Sequence, residues 1–183
     1  MSTQPPHDRE RRGEPTEHAA GTVGAVHTAP SAGAPMESRE RVEAVAGRGV
    51  RGDRYFLEEG TYSASAREAP REITLIEAET IEAVERDYGI ELASGAHRRN
   101  VTTRGVALNH LVGRRFRAGE AVCEGAELCD PCSYLERLLA LEGIHDALVH
   151  RGGLRCRIVQ GGTIAVGDPV VPADSGDKSR PRS

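Results

Sequence analysis

The chain has 183 residues, of which 38% are hydrophobic and 28% are charged, and its formal net charge at pH 7 is -4. These values suit one soluble globular domain with a full core, and the acidic balance gives no general attraction to nucleic acid. The sequence contains no run of about 18 apolar residues that could span a membrane. Residues 1–20 lack the apolar core of a signal peptide. We therefore expect a cytoplasmic protein with no nucleic-acid or membrane partner, whose four cysteines are reduced.

Lysine is almost absent from the sequence. Lys178 is the single lysine among 24 lysines and arginines, and it lies in a polar C-terminal segment. Catalysis through a lysine Schiff base needs an amine held in a pocket. We therefore expect no covalently bound pyridoxal phosphate.

The predicted elements fall in one central domain at 21–172. Residues 1–20 and 173–183 are charged and rich in Pro, Ser and Gly, and we expect both to be disordered tails. Within the domain, short apolar or alternating segments between glycines and prolines predict strands. These cover 22–28, 41–46, 72–76, 99–103, 115–117, 121–125, 154–160 and 168–171. Apolar residues at helical spacing predict helices at 77–88, 131–141 and 144–149.

The number and length of these strands indicate the fold class. Many short strands with few helices predict a mainly β (α+β) fold, a closed or half-closed antiparallel β-barrel with two or three peripheral helices. A parallel α/β sheet would need a helix after nearly every strand. In the strand at 154–160, Leu154, Cys156 and Ile158 alternate with arginines, which predicts one buried face and one wet face.

A glycine-rich segment at 47–55 follows a predicted strand and contains Arg48, Arg51 and Arg54. Such a loop can bring backbone N–H groups and guanidinium groups to a phosphate. The alternative is a turn in which Asp53 pairs with an arginine. The spacing alone favours the turn.

Two further basic segments could supply anion-binding groups at the rim of a pocket. One contains Arg98, Arg99 and Asn100, and the other contains Arg151. Strand alternation would place Arg98 and Asn100 on one face and Arg99 on the other, so at least one basic side chain should point inward and need a partner.

The motif Cys129-Asp130-Pro131-Cys132 lies where a β-rich stretch ends and a predicted helix begins. Asp is a preferred N-cap and Pro suits the first helical position, so Cys132 should fall at about the second helical position. The positive end of a helix favours the thiolate. The Asp130 carboxylate opposes this effect, so we expect an activated thiol, but not an extreme one.

Several interpretations of this pair stay open. A C-x-x-C that opens a helix is typical of thioredoxin-like dithiol oxidoreductases, although about two thirds of this chain precedes the motif. Zinc would need further ligands from Cys123, Cys156, His145 or His150, and no second C-x-x-C is nearby. The pair could also be two buried small hydrophobes, or it could contain one working thiol, Cys132.

Cys123 and Cys156 are simpler to interpret. Each occupies an apolar position of a predicted strand, where a free cysteine is usually a core residue. We expect both to be structural.

Taken in order, these segments resemble the MOSC family, the domain named for its place at the C-terminus of molybdenum cofactor sulfurases. The segments are GTV at 21–23, GVRGDRY at 49–55, REITLI at 71–76, RRNV at 98–101, LVGRRF at 111–116, CDPC at 129–132, GG at 152–153 and GTIAVGD at 162–168. The resemblance implies a β-rich barrel, in agreement with the strand pattern.

The resemblance also implies a function and a site. Proteins of this family hold the molybdenum cofactor, a pterin dithiolene with a phosphate tail, or handle sulfur for it, and the Pro-Cys cysteine of the family matches Cys132. It would be the catalytic thiol and metal ligand, with Cys129 as a supporting thiol. The implied candidates for binding the cofactor's phosphate and pterin are Arg51, Arg54, Arg98, Arg99, Asn100 and Arg151.

The sequence departs from the larger relatives in two respects. From its length and its single lysine we expect neither the pyridoxal-phosphate desulfurase half of the full sulfurases nor the N-terminal β-barrel half of the mitochondrial amidoxime-reducing relatives. The leading hypothesis is a molybdenum cofactor-binding protein that uses Cys132 to carry sulfur or ligate the metal, as a sulfur transferase or a molybdenum-dependent oxidoreductase. The alternatives are a reductase of N-hydroxylated compounds, a non-catalytic adaptor and a dithiol oxidoreductase. The expected partners are the cofactor and a sulfur-donor or electron-transfer protein.

Overall fold

A computed structural model describes residues 21–63, 70–131 and 133–173. The predicted tails lie outside these residues apart from Ala173, and Cys132 also lies outside them. No described helix is long and apolar enough to cross a membrane.

The described residues form eleven strands and three α-helices. The strands are β1 (Gly21–Thr28), β2 (Glu37–Arg39), β3 (Arg41–Val45), β4 (Gly49–Val50), β5 (Ile73–Glu77), β6 (Val101–Arg104), β7 (Arg115–Ala118), β8 (Ala121–Leu128), β9 (Leu154–Gln160), β10 (Gly162–Ala165) and β11 (Pro169–Pro172). The helices are α1 (Ala78–Tyr88), α2 (Ser133–Leu139) and α3 (Ile144–Ala147), with a 3₁₀ helix at Leu108–Leu111.

Seven of these strands close into a β-barrel. The ring runs through β1, β6, β5, β9, β8, β7 and β11, and β11 pairs with β1 to close it. Strands β10, β3 and β4 form a second, smaller sheet. The predicted β-barrel is confirmed, with one difference: β5 and β6 run parallel. The crossover helix α1 lies between them in the chain, and such a crossover is what a parallel pair requires.

Strand β1 pairs with β6 along one edge. Its other edge is shared by β11 and β2. At its start, Gly21 lies opposite Val170 of β11, and towards its end Val26 lies opposite Arg39 of β2. The barrel therefore closes between its first and last strands.

Apolar side chains from most of the strands fill the barrel. Phe116, Ile73, Cys123 and Cys156 are all fully buried there. The predicted core positions of the two cysteines are thus confirmed. Burial, with a smaller effect of the Glu72 carboxylate, raises the pKa of the Cys123 thiol to about 12.

A second apolar cluster lies between the barrel and the helices. Ile73 and Leu75 of β5 belong to the barrel core, whereas Ile76 packs in a cluster with Val84 of α1 and Ile144 of α3. Strand β5 is therefore covered on both faces. Because side chains alternate along a strand, Thr74 shares the outer face with Ile76.

Candidate functional site

A pocket lies on the outer face of the barrel beside the start of α2. Thr74 and Arg155 are cross-strand neighbours in β5 and β9, and both line it. Residues 129–131 of the C-x-x-C segment and Tyr134 of α2 also line it. This cavity, called here the Cys129 pocket, has a volume of about 70 Å³.

Two glycines allow the C-x-x-C segment to lie against the barrel. The amide of Cys129 donates to the carbonyl oxygen of Gly153 at 2.7 Å. A Cβ atom on Gly152 would lie 2.1 Å from the Cys129 carbonyl oxygen, and one on Gly153 would lie 2.0 Å from that of Leu75. Gly153 also has φ of +103°, a conformation that side chains disfavour. No larger residue fits this close approach.

The lining of the pocket is strongly basic. Two of its arginines have carboxylate partners: Arg54 lies 3.1 Å from Asp53, and Arg155 lies 2.6 Å from Glu127. Among the described residues, the pocket is lined by one carboxylate, that of Asp130, and by five arginines, Arg54, Arg71, Arg98, Arg99 and Arg155.

The other three arginines have no ion pair with another described residue. Among the described residues, no carboxylate oxygen lies within 4.0 Å of a guanidinium nitrogen of Arg71, Arg98 or Arg99. The Nη1 atom of Arg71 is buried without a hydrogen-bond partner in that part of the chain, and its guanidinium lies 4.8 Å from the centre of the Tyr62 ring. A buried donor of this kind costs free energy unless it is hydrogen-bonded. The arrangement suits an anion.

The turn at Asp53 presents one of these arginines. Asp53 accepts hydrogen bonds from the amides of Ala29 at 3.1 Å and Tyr55 at 3.3 Å, besides pairing with Arg54. Arg54 in turn donates to the carbonyl oxygen of Arg98 at 2.9 Å. The predicted turn with an Asp53–arginine pair is confirmed, and the paired arginine also lines the pocket.

The loop before β6 brings two more arginines to the pocket. Arg99 donates from Nε to the carbonyl oxygen of Gly152 at 2.9 Å, and its amide donates to Nδ1 of His97 at 3.0 Å. Arg98 has φ of +64°, and β6 begins only at Val101. The predicted alternation of Arg98 and Arg99 across a strand is therefore wrong, and both residues line the pocket.

The family model of the MOSC domain matches residues 38–171, which include every residue that lines the Cys129 pocket. This chain belongs to the MOSC domain family. No curated protein matches it.

Solved structures share the fold of this MOSC protein. The YUAD protein from Bacillus subtilis has a TM-score of 0.66 at 15% identity, over 82% of this chain and 94% of that one. YiiM from Geobacillus stearothermophilus has a TM-score of 0.64 at 18% identity, over 86% and 77%. YiiM from Escherichia coli has a TM-score of 0.57 at 17% identity, over 84% and 68%.

Three of the predicted site residues do not line the pocket of this MOSC protein. Arg51 is exposed and paired with Glu43 at 2.6 Å. Arg151 donates to the carbonyl oxygen of Ala147 at 2.7 Å. Asn100 is buried, where its Oδ1 accepts from the Thr74 amide at 3.1 Å and its Nδ2 donates to the His27 carbonyl oxygen at 3.3 Å. It connects strands and holds Thr74 in place.

The C-x-x-C segment differs in detail from the prediction. Pro131 is not helical, whereas the prediction made it the first helical residue, and the described part of helix α2 is Ser133–Leu139. Cys129 is only 3% exposed, yet it lines the pocket. Cys132 lies outside the described residues. Among the residues that are described, no group of three His, Cys, Asp or Glu side chains could hold a metal ion.

Sequence reasoning missed two of the pocket arginines. Arg155 stands on the outer face of a strand whose inner face, with Leu154 and Cys156, was predicted. The signal for Arg155 was therefore present in the alternation. Arg71 is the first residue of the segment at 71–76, one of those on which the family resemblance rests. Its position in the sequence gave no reason to predict that it binds a ligand.

Proposed function

We propose that this MOSC protein binds the molybdenum cofactor in the Cys129 pocket, where Cys132 ligates the metal or carries sulfur for it. The observation that carries the proposal is a group of three arginines beside the C-x-x-C segment, Arg71, Arg98 and Arg99, which form no ion pair within the described part of the chain. Membership of the MOSC family supports the same ligand.

The pocket fits the phosphate of the cofactor in charge and size. Guanidinium groups bind phosphate oxygens by paired charge-assisted hydrogen bonds, and the buried Nη1 of Arg71 needs an acceptor. A volume of about 70 Å³ corresponds to about two water molecules of about 30 Å³ each. This suits the phosphate group, and the rest of the cofactor would extend out of the pocket.

A thiol beside this pocket would suit the metal and the sulfur of the cofactor. Cys132 stands in the sequence between Pro131 and Tyr134, which both line the pocket. Molybdenum favours thiolate ligands, and a persulfide forms best on a thiol with thiolate character. Cys129 would be a supporting thiol.

The bound cofactor would supply a redox-active metal and a centre that exchanges sulfur. The protein's own residues bind and orient it. Arg99 is suited to this role because the Gly152 carbonyl oxygen holds its guanidinium at 2.9 Å. Arg155 is held by Glu127, and the Thr74 side chain adds a hydroxyl group to the lining.

The test is the molybdenum and pterin content of the full-length protein purified from a host that makes the cofactor. We expect both in the wild type, measured as metal per protein and as fluorescent oxidised pterin. Cys132→Ala and Arg71→Met should lower both. Cys123→Ala and Arg51→Met are matched controls, because the first removes a core thiol and the second an exposed arginine outside the pocket.

A wild-type protein without molybdenum and without pterin would contradict the proposal. Equal loss in Arg51→Met and Arg71→Met would contradict the assignment of the pocket. Carrier and catalyst are separated by turnover. With excess substrate and reductant a molybdenum-dependent reductase forms more product than protein, whereas a carrier that is loaded once with sulfur and then freed of donor transfers no more than one equivalent per protein.

A further inference from the structure

A second cleft lies next to Arg98, beside the Cys129 pocket. It is called here the Arg98 cleft, has a volume of about 260 Å³, and includes Pro35, Met36, Ala96, Leu138 and Arg98 in its lining. None of the described residues that line it is acidic. It therefore combines apolar walls with one cation.

Arg98 is buried, and no described carboxylate lies within 4.0 Å of its guanidinium nitrogens. It is 8% exposed, and its Nη1 donates to the carbonyl oxygen of Ala34. Its other guanidinium N–H groups make no hydrogen bond with the part of the chain that the structure describes. A buried charge is normally paired, whereas Arg98 lies near a second cation, Arg54, whose effect is larger than the opposite effect of the Asp53 carboxylate. Burial and the nearby Arg54 lower the pKa of Arg98.

The backbone holds Arg98 in this position. Its amide donates to the carbonyl oxygen of Gly95 at 2.9 Å, and its φ is +64°. Gly95 is also constrained, because a Cβ atom there would lie 2.8 Å from Met36 and 2.9 Å from His27. The loop therefore fixes the backbone of Arg98, and the Ala34 carbonyl oxygen holds its Nη1 next to Pro35, which lines the cleft.

We propose that the Arg98 cleft binds a small organic carboxylate, with the carboxylate on Arg98 and an apolar body against Met36 and Leu138. Charge complementarity favours this ligand, since a carboxylate would pair the buried guanidinium while its apolar part leaves water. The proposal goes beyond cofactor binding, although it uses Arg98, which the proposed function also offers to the cofactor phosphate. Because Arg98 also lines the Cys129 pocket, the ligand would lie beside the proposed cofactor site.

The test is an NMR titration of the full-length protein with benzoate at constant ionic strength. Acetate is a matched probe with the carboxylate alone, and benzamide is one with the apolar ring alone. We expect benzoate to bind at least about tenfold more tightly than either, because each probe lacks one of the two contacts. The shifted resonances should include those of residues 95–98 and 138.

Variants locate the site. Leu138 is 36% exposed, so Leu138→Glu should keep the fold and weaken benzoate binding about tenfold or more by repulsion. Leu57→Glu is the matched control, because Leu57 is similarly exposed at 45% but does not line the cleft. Arg98→Met should abolish binding, and Arg71→Met should leave it unchanged.

Two results would overturn the proposal. One is the absence of saturable benzoate binding in the millimolar range, or equal binding of benzamide. The other is a benzoate affinity that falls in Arg71→Met and not in Leu138→Glu, which would place the anion in the Cys129 pocket. Neither result bears on molybdenum content, so each is distinguishable from failure of the proposed function.

Discussion

The amide of Arg99 donates a hydrogen bond to Nδ1 of His97, and the two atoms are 3.0 Å apart. His97 thus accepts at Nδ1 and carries its proton on Nε2, which lies 3.3 Å from the Thr102 hydroxyl. His97 lies behind the pocket and does not line it. It positions the backbone from which Arg98 and Arg99 project.

This contact predicts different behaviour for two substitutions of His97. In His97→Asn the side-chain oxygen can replace Nδ1 as the acceptor, whereas in His97→Leu a side chain of similar bulk cannot. We expect His97→Asn to keep most of the bound pterin and molybdenum and His97→Leu to lose most of both, measured beside the melting temperature. Equal cofactor loss in two equally stable variants would contradict the positioning role.

The same histidine makes stability depend on pH. Burial, with smaller effects of Arg99 and His27, lowers the pKa of His97 from 6.5 to about 3. Below 6.5 the unfolded chain binds a proton that the folded chain does not, so the free energy of unfolding falls by up to about 1.4 kcal/mol per pH unit as pH drops towards 3. Urea unfolding of wild type and His97→Asn across this range should show a shallower dependence in the variant. Parallel curves would contradict the prediction.

The buried ion pair of Asp53 and Arg54 predicts a large effect on folding. Asp53→Asn would leave Arg54 unpaired in a buried position near a second cation, Arg98, and we expect a loss of about 3–5 kcal/mol. Glu43→Gln is the matched control, because it breaks the exposed pair with Arg51 and should change stability little. The check is urea unfolding of both variants. A small effect of Asp53→Asn would show that the turn tolerates an uncompensated guanidinium.

The glycine at position 153 predicts a second stability contrast. Gly153→Ala would force a Cβ atom to 2.0 Å from the Leu75 carbonyl oxygen, and we expect a loss of about 3 kcal/mol or more. Gly167→Ala has a similar φ of +90° but no atom within 4 Å of the new Cβ, so it should lose only about 1–2 kcal/mol. Equal losses in unfolding experiments would show that strain, and not contact, dominates at position 153.

The core thiols should be inert in the native protein. The thiolate is the reactive form of cysteine, and burial raises the pKa of Cys123 to about 12 and that of Cys156 well above its usual range. In the double variant Cys129→Ser/Cys132→Ser, we expect no reaction of the native protein with a disulfide reagent at pH 8, and reaction of both remaining thiols after denaturation. Rapid labelling of the native double variant would contradict the burial of these residues.

The strands of the barrel could be predicted where apolar and polar residues alternate in the sequence. Leu154, Cys156 and Ile158 show this pattern and form the strand as predicted. Helix α1 also ends as predicted, with Gly89 at φ +66°. Strand β2 could not be predicted, because all three of its residues are exposed and carry no alternation.

The site was predictable only in part. Arg54, Arg98 and Arg99 stand next to turn or loop signals, and each lines the pocket. The position of Arg155 in the pocket depends on the pairing of β5 with β9. This pairing places Arg155 opposite Thr74, with 80 residues of sequence between them. No local pattern contains such a register. The positive φ of Arg98 could not be predicted either, because residues other than glycine rarely adopt it and nothing in the local sequence indicates it.

The pairing of β1 with β11 has a consequence for how the chain folds. Gly21 meets Val170, so the ring cannot be completed during synthesis until almost the whole domain has left the ribosome. Contacts between distant parts of a sequence slow folding, and until β11 arrives β1 has an open edge that another chain could pair with. Aggregation of nascent or truncated chains at this edge is the hazard that the final strand removes.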